Sequence, residues 1–485
     1  MDVGLPAGGQ AMTERSDLDP RDWEAFRAAA HRLLDAGIDR MRDARDHPWR
    51  PVPEAVRDSY AIGAGSGDLT ERLIETVLPY HGGNPHPRFW GWVQGSGLAS
   101  DLVAGIAGAA INANVGGRDH GAVYLERAVV DWTRVQMGMP EGASGVLVTG
   151  TSQATVIAFA AARLRALGAG VRRAGQGPAR LVAYAGEGVH NAARKAAELI
   201  GIGSDNLRLV PQAGGGMDPG ALRAMVAADR AAGALPFLVV GTAGSVDLGR
   251  FDDLGGLADV AAEAGLWLHV DGAFGAWTRL ADPPWRALSD GIGRADSIAL
   301  DFHKWMYVGY DCGLVLVRDE GEHRAAFAAR PAYLQGAQAG LAGGDPWYCD
   351  YGIDLSRGNR ALRVWCALQS HGPDAFGAAI TANCRLAGLM QDEVRARPLM
   401  RPGPDPASNV CVFSARGGLD GAGQSALNAA IAQDLQERGT AVFSTTDIDG
   451  VTMLRAAITN HRSTAGDIRA AVAAVDDAAA RLAAG

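Results

Sequence analysis

Between residues 297 and 317 the chain reads "SIALDFHKWMYVGYDCGLVLV", which sets His303 and Lys304 between two apolar runs. A lysine flanked by strand-like segments on both sides is expected to be buried, and a buried amine needs a chemical reason to be there. Other reactive side chains stand in the same kind of place, just after a short apolar run. Thr151 and Ser152 follow "GVLVTG", His190 follows "RLVAYA", Thr242 ends "PFLVVGT", and Asp271 follows "LWLHV" with small residues, among them Ala273, behind it. Each position also has an ordinary reading: an N-cap at Thr151, a cap or surface residue at His190, a turn residue at Asp271, and a lysine snorkelling beside Trp305 at Lys304.

The elements that must position these residues set the rest. From about residue 145, seven short apolar runs ("GVLVTG", "RLVAYA", "LRLV", "PFLVVGT", "LWLHVDG", "SIALD", "GLVLVRD") alternate with alanine-rich helical stretches. Runs so short and so apolar are covered on both faces, which predicts a mainly parallel sheet in an α/β domain. In such sheets ligands bind beyond the carboxyl ends of the strands, so the residues named above converge on one crevice. Upstream, "DLDPRDWEAFRAAAHRLLDAGIDRM" predicts an amphipathic helix capped by Asp19, with Pro20 in its first turn, followed by a second helical stretch near 68–78. Downstream, "SNVCVFSARG" and "VTMLRAAITN" predict two strands of a smaller α+β unit. The expected division is a helical arm at 1–97, a large domain at 98–372 and a small C-terminal domain at 373–485.

Composition narrows the partners. With 45 basic and 54 acidic residues the net charge is −9, and no long basic run occurs, which disfavours nucleic acid and anionic membranes. The apolar share of 48% and charged share of 20% are those of a soluble globular protein. Five cysteines without a C-x-x-C pair suit a reducing cytosol and argue against a disulfide framework or a structural zinc site. The first residues lack a secretory pattern and the alanine-rich run at 98–111 is short for a membrane span, so a cytoplasmic protein without a membrane partner is expected.

A lysine amine, a carboxylate, an imidazole and a helix start that favours phosphate match the needs of one cofactor, pyridoxal phosphate. Its aldehyde takes an amine, its ring nitrogen an acid, and its phosphate the free N–H groups of a helix start.

At this point the chain resembles the group II pyridoxal-phosphate-dependent amino acid decarboxylases, the aromatic L-amino acid decarboxylases among them. "LWLHVDGAFG", "DFHKW" and "GTSQAT" carry the likeness, with "HPRFWGWV" and "LSRGNRALRVW" extending it over roughly 20–470. The resemblance implies the fold type I architecture of pyridoxal-phosphate-dependent transferases and a cytoplasmic homodimer with a shared active site. It makes Lys304 the amine that bonds the aldehyde, Asp271 the partner of the ring nitrogen, His190 the side chain stacked on the ring and Ala273 the residue beneath it. It gives the phosphate to Thr151, Ser152 and His303, and a place on the crevice wall to Thr242. Arg357 lies near a substrate carboxylate in relatives, and Tyr333 matches a proton donor whose replacement by phenylalanine accompanies aldehyde formation. The implied reaction is decarboxylation of an L-amino acid to an amine and carbon dioxide, with an aromatic substrate first. Oxidative aldehyde formation and an acidic or small polar substrate are the alternatives.

Three departures stand out. Asn112, Asn114 and Val115 replace larger apolar residues in a segment that relatives use to line the partner subunit's substrate pocket. Trp90 and Trp92 offer flat walls for a ring, whereas Arg118 suits a side-chain acid or a structural pair with Asp119. Asp301 stands where several relatives have asparagine, a poor neighbour for a phosphate unless it meets a donor such as a backbone N–H.

Overall fold

The seven apolar runs are the seven strands of one sheet. A computed structural model describes residues 18–62, 68–329, 337–416 and 418–482. The strands are β1 (Ser144–Val148), β2 (Leu181–Gly186), β3 (Leu207–Val210), β4 (Leu235–Thr242), β5 (Trp267–Asp271), β6 (Ser297–Asp301) and β7 (Gly313–Val317), and they lie in the order β1-β7-β6-β5-β4-β2-β3. The pairs β2–β3, β2–β4, β4–β5 and β5–β6 are parallel, while β7 is antiparallel to β6 and β1. The chain between β6 and β7, residues 302–312, is too short for a crossover helix, so β7 has to return antiparallel. That return holds the His303-Lys304 turn at the carboxyl end of β6. All residues of β1, β2, β5, β6 and β7 are buried, as expected for a sheet covered on both faces.

The chain divides into two compact units, one of Met1–Asp43 with Val52–His81, the other of Ala44–Pro51 with Gly82–Gly485. In the first, α1 (Trp23–Arg42) buries no residue and leaves Trp23, Phe26 and Ile38 exposed. Its cap is Asp22, whose side chain accepts the N–H groups of Glu24 and Ala25, rather than the expected Asp19. Asp22 meets the same orphan donors directly beside the first apolar residue, so the helix starts later. Within this unit Arg32 pairs with Asp68 at 2.9 Å, and Asp68 caps the helical turn Leu69–Arg72.

The second unit carries α2 (Ser100–Ile111), α3 (Gly121–Gln136), α4 (Thr151–Leu167), α5 (Asn191–Leu199), α6 (Ala361–Arg395), α7 (Gly421–Glu437) and α8 (Ala465–Leu482). Ala154, Ile157, Phe159 and Ala161 of α4 join the strands in one large core. A second core gathers Trp90, Phe413, Phe443, Leu454, Ile468 and Val472 around an antiparallel sheet. Its strands are β8 (Arg401–Pro402), β9 (Val410–Ser414), β10 (Ser444–Ile448) and β11 (Val451–Ala457), ordered β8-β9-β11-β10. The helix α6 is interrupted at Gly372, whose φ of 73° lies outside helical space and precedes Pro373.

Candidate active site

The register of β4, β5 and β6 places the reactive residues. Thr242 lies opposite Asp271, and Asp271 opposite Ala299, so β6 runs two residues further before the turn to His303 and Lys304. The first residue of α4 closes on the end of β6: Thr151 donates its N–H to Asp301 Oδ1 at 2.8 Å and its hydroxyl to Oδ2 at 3.1 Å. Lys304 Nζ pairs with Asp301 Oδ2 at 2.8 Å. Gly313 is needed here, because a Cβ on it would sit 2.6 Å from Asp301 Oδ1. His303 is buried, which pushes its imidazole below the usual range despite the pull of Asp301. Its Nδ1 accepts the Cys312 N–H at 3.0 Å, so the proton of the neutral ring belongs on Nε2.

Lys304, Asp271, His190, Thr242 and Ala273 all line one cavity of about 570 Å³. Asp271 is buried, its Oδ1 accepting the Ala273 N–H at 3.1 Å. Burial pushes this carboxyl above the usual carboxylate range, against the opposing charges of Lys304 and His190. Facing a ring nitrogen, a carboxylate in so dry a place would keep that nitrogen protonated by its opposite charge. His190 caps α5, its Nδ1 accepting the Ala192 N–H at 3.2 Å, which fixes the imidazole at the wall of the cavity. An amine, a buried carboxylate, an imidazole and the small Ala273 are the set that pyridoxal phosphate requires, so the residues fit the group.

A sequence profile of the pyridoxal-dependent decarboxylase conserved domain matches residues 68–402. The chain belongs to the pyridoxal-dependent decarboxylase family. The decarboxylase is 27% identical over 469 residues to an aromatic-L-amino-acid decarboxylase of Bacillus atrophaeus, covering 91% of this chain and 92% of that one. It is 30% identical over 339 residues to a 4-hydroxyphenylacetaldehyde synthase of Rhodiola rosea, covering 68% and 67%. Its fold is similar to that of Oryza sativa TDC solved with PLP and tryptamine, with a TM-score of 0.86 at 24% identity over 96% of this chain and 100% of that one. The cofactor of the decarboxylase is pyridoxal phosphate.

Several expected site residues lie elsewhere. Arg357 is a correction: its side chain is 2% exposed and is spent on Glu126, which is 0% exposed, through Nη2–Oε1 at 2.6 Å and Nη1–Oε2 at 3.2 Å. It also donates to the carbonyls of Val115 and Leu147, so it ties α3 to β1 and is not presented to a substrate. Val115 is likewise a correction, since its side chain is fully buried in the chain's own core and cannot reach a partner's pocket. Asn114 is exposed as a residue, but its Oδ1 is turned back to accept the N–H groups of Gly116 and Arg357. Of the two tryptophans only Trp92 lines the cavity; Trp90 is buried in the second core with Nε1 donating to Ser463. Thr151, Ser152 and His303 do not line the cavity, and both Thr151 donors are taken by Asp301. Arg118 lies over the Trp347 ring at 5.2 Å instead of pairing with Asp119, which accepts from Tyr124. Tyr333 lies outside the described residues.

Sequence reasoning missed the contribution of the small sheet. Phe443, Ser444 and Thr445 line the same cavity, as do Val93, Asp247, Phe274 and Arg455. Arg455 is 3% exposed; it donates to the carbonyls of Trp92 and Asp247 and to Ser444 Oγ, while its Nη2 is buried without a hydrogen-bond partner among the described residues. Burial lowers its pKa to about 10. A single cation inside the apolar run "VTMLRAAITN" is the same signal that drew attention to Lys304. A second signal was also readable: the chain has two lysines, Lys195 and Lys304, and all its other basic residues are arginine or histidine.

Proposed function

We propose that this enzyme decarboxylates an aromatic L-amino acid to its amine and carbon dioxide. One observation carries the reading: the cavity that holds Lys304, Asp271 and His190 is also walled by Trp92, Val93, Phe274 and Phe443. Flat and apolar side chains of this kind suit a ring-bearing substrate. The names of the relatives from Bacillus atrophaeus and Rhodiola rosea, one a decarboxylase and one an aldehyde synthase of aromatic compounds, point the same way.

When bound, pyridoxal phosphate supplies an aldehyde for the substrate amine and a protonated ring that takes up the electron pair left as carbon dioxide departs. Lys304 Nζ is the amine that would anchor it and would be free to move a proton once a substrate amine takes its place. Asp271 holds the proton on the ring nitrogen, His190 covers the ring face, and Ala273 and Thr242 shape the floor and wall. Ser152, at the start of α4, and His303, through Nε2–H, lie outside the wall of this cavity and would be the donors left for a phosphate that reaches past it toward Asp301. Tyr333 returns the proton to the α-carbon, which favours amine over aldehyde. The active unit is a homodimer: α2 exposes Val103, Ile106 and Ile111 and buries only Ser100 and Ala104, apolar surface that a second copy would cover. The helical arm of 1–97, the cofactor domain of 98–372 and the small domain of 373–485 form its parts, and the cytoplasm is its compartment.

A second reading rests on Arg455. Its buried Nη2, without a partner among the described residues and on a side chain that lines the cavity, suits a carboxylate, which favours a substrate with an acidic side chain. A panel of amino acids assayed for amine, carbon dioxide, ammonia and peroxide separates the outcomes. The proposal expects amine and carbon dioxide in equal amounts from an aromatic substrate. Turnover confined to acidic substrates favours the second reading, and ammonia and peroxide in step with carbon dioxide contradict simple decarboxylation. Tyr333→Phe is expected to move the products toward the aldehyde.

A further inference from the structure

The carboxylate of Asp301 sits at the start of α4, a place in the site where an anion is drawn by the protein and where the cofactor assignment brings a second anion. It is 1% exposed, and it takes the first N–H of α4 together with the Thr151 hydroxyl proton. The start of a helix attracts negative charge through its free N–H groups and its dipole. That attraction is already used by a side chain of the protein's own. The groups packed around Asp301 are Lys304, whose Nζ is 2.8 Å away, the neutral His303, whose Nε2 is 3.7 Å away, and Gly313, where any side chain would collide with the carboxylate. One cation therefore balances one buried anion before any phosphate arrives.

We propose that Asp301 is a positioning residue which holds Lys304 at the start of α4 in the cofactor-free protein and, by pre-empting the anion site there, keeps the grip on the cofactor's phosphate weak. The inference rests on the cofactor assignment above. A carboxamide at this position would still accept the Thr151 N–H but would not repel a phosphate or hold the ammonium as an ion pair. The negative charge, not the shape of residue 301, then sets how much the phosphate adds to binding.

The test titrates cofactor-free wild type and Asp301→Asn with pyridoxal phosphate and with pyridoxal, which has no phosphate, following the visible absorbance of lysine-bound aldehyde. The variant is expected to bind pyridoxal phosphate at least about tenfold more tightly than wild type, with a smaller gain for pyridoxal, which reports only the release of Lys304 from its ion pair; an equal gain for both overturns the phosphate part of the proposal. Equal or weaker affinity of the folded variant for pyridoxal phosphate overturns the proposal, as does a parallel loss for both ligands, which would mark a packing role. Should Asp301→Asn not fold, wild type decides: excess inorganic phosphate should leave pyridoxal uptake unchanged, and inhibition by phosphate overturns the proposal. A wild type that takes up neither aldehyde contradicts the cofactor assignment itself, an outcome distinct from these.

Discussion

Replacing Glu126 tests the reassignment of Arg357 from substrate contact to structural cation. The pair is dry: the two side chains are 2% and 0% exposed, joined by two hydrogen bonds, and Glu126 Oε1 also accepts the Leu147 N–H at 3.0 Å. Glu126→Ala leaves a buried guanidinium uncompensated, and removing one partner of such a pair costs about 3–5 kcal/mol. Exchanging both charges for apolar side chains of similar length, Glu126→Leu with Arg357→Met, removes the desolvation cost along with the attraction and should recover most of that loss. The two carbonyls that Arg357 now serves, of Val115 and Leu147, keep the recovery from being complete. Urea denaturation followed by circular dichroism measures both variants, and steady-state kinetics with the best substrate measures the double variant. The expected result is a strongly destabilised single variant and a double variant with near-native stability and unchanged KM. A double variant that folds normally yet has a KM raised about tenfold or more would show that Arg357 does meet the substrate.

Two further outcomes follow from the geometry. Asp271→Asn should keep lysine-bound cofactor, seen as visible absorbance, while turnover falls about a hundredfold or more, because the carboxamide cannot hold the ring proton; unchanged turnover would remove Asp271 from the mechanism. Burial holds His86 at about 4 and His269, His323 and His461 at about 3. In the unfolded chain these rings titrate near ~6.5, so the unfolded state binds more protons as acid is added, and stability present above ~6.5 is lost as pH falls toward the folded values. Four such rings give a slope of up to about 5 kcal/mol per pH unit. The acids Asp101, Asp252 and Asp271, raised by burial, pull the other way and reduce it. The urea midpoint should drop between about pH 7 and about pH 5, and a midpoint that stays level or rises would contradict the burial of these rings.

What could be read from the sequence was what local pattern controls. Strands covered on both faces announce themselves by apolarity alone, which is why all seven runs became strands and why Asp271 and Lys304 came to one cavity. The reversal of β7 follows from the length of the link after Lys304, which is too short for a crossover helix. Partners far apart in sequence were not legible: nothing near Arg357 marks Glu126, more than two hundred residues away, as the acid that would claim it. The inward turn of Asn114 and the burial of Val115 depend on the same non-local contact. Asp301 looked awkward because its donor, the Thr151 N–H, is brought to it only by the packing of α4 on β6. Arg455 carried a readable signal, and its role in the wall emerged only when the small sheet met the cavity.

The claim on which the rest depends is that Lys304 is the amine that takes the cofactor. Treating the protein with pyridoxal phosphate, reducing with borohydride and mapping the peptides by mass spectrometry tests it directly, since Lys195, exposed on α5, is the chain's other lysine. The account predicts one equivalent of label on the peptide containing Lys304 and loss of visible absorbance in Lys304→Ala. Label confined to Lys195 or the N-terminus, with absorbance retained in Lys304→Ala, would contradict it.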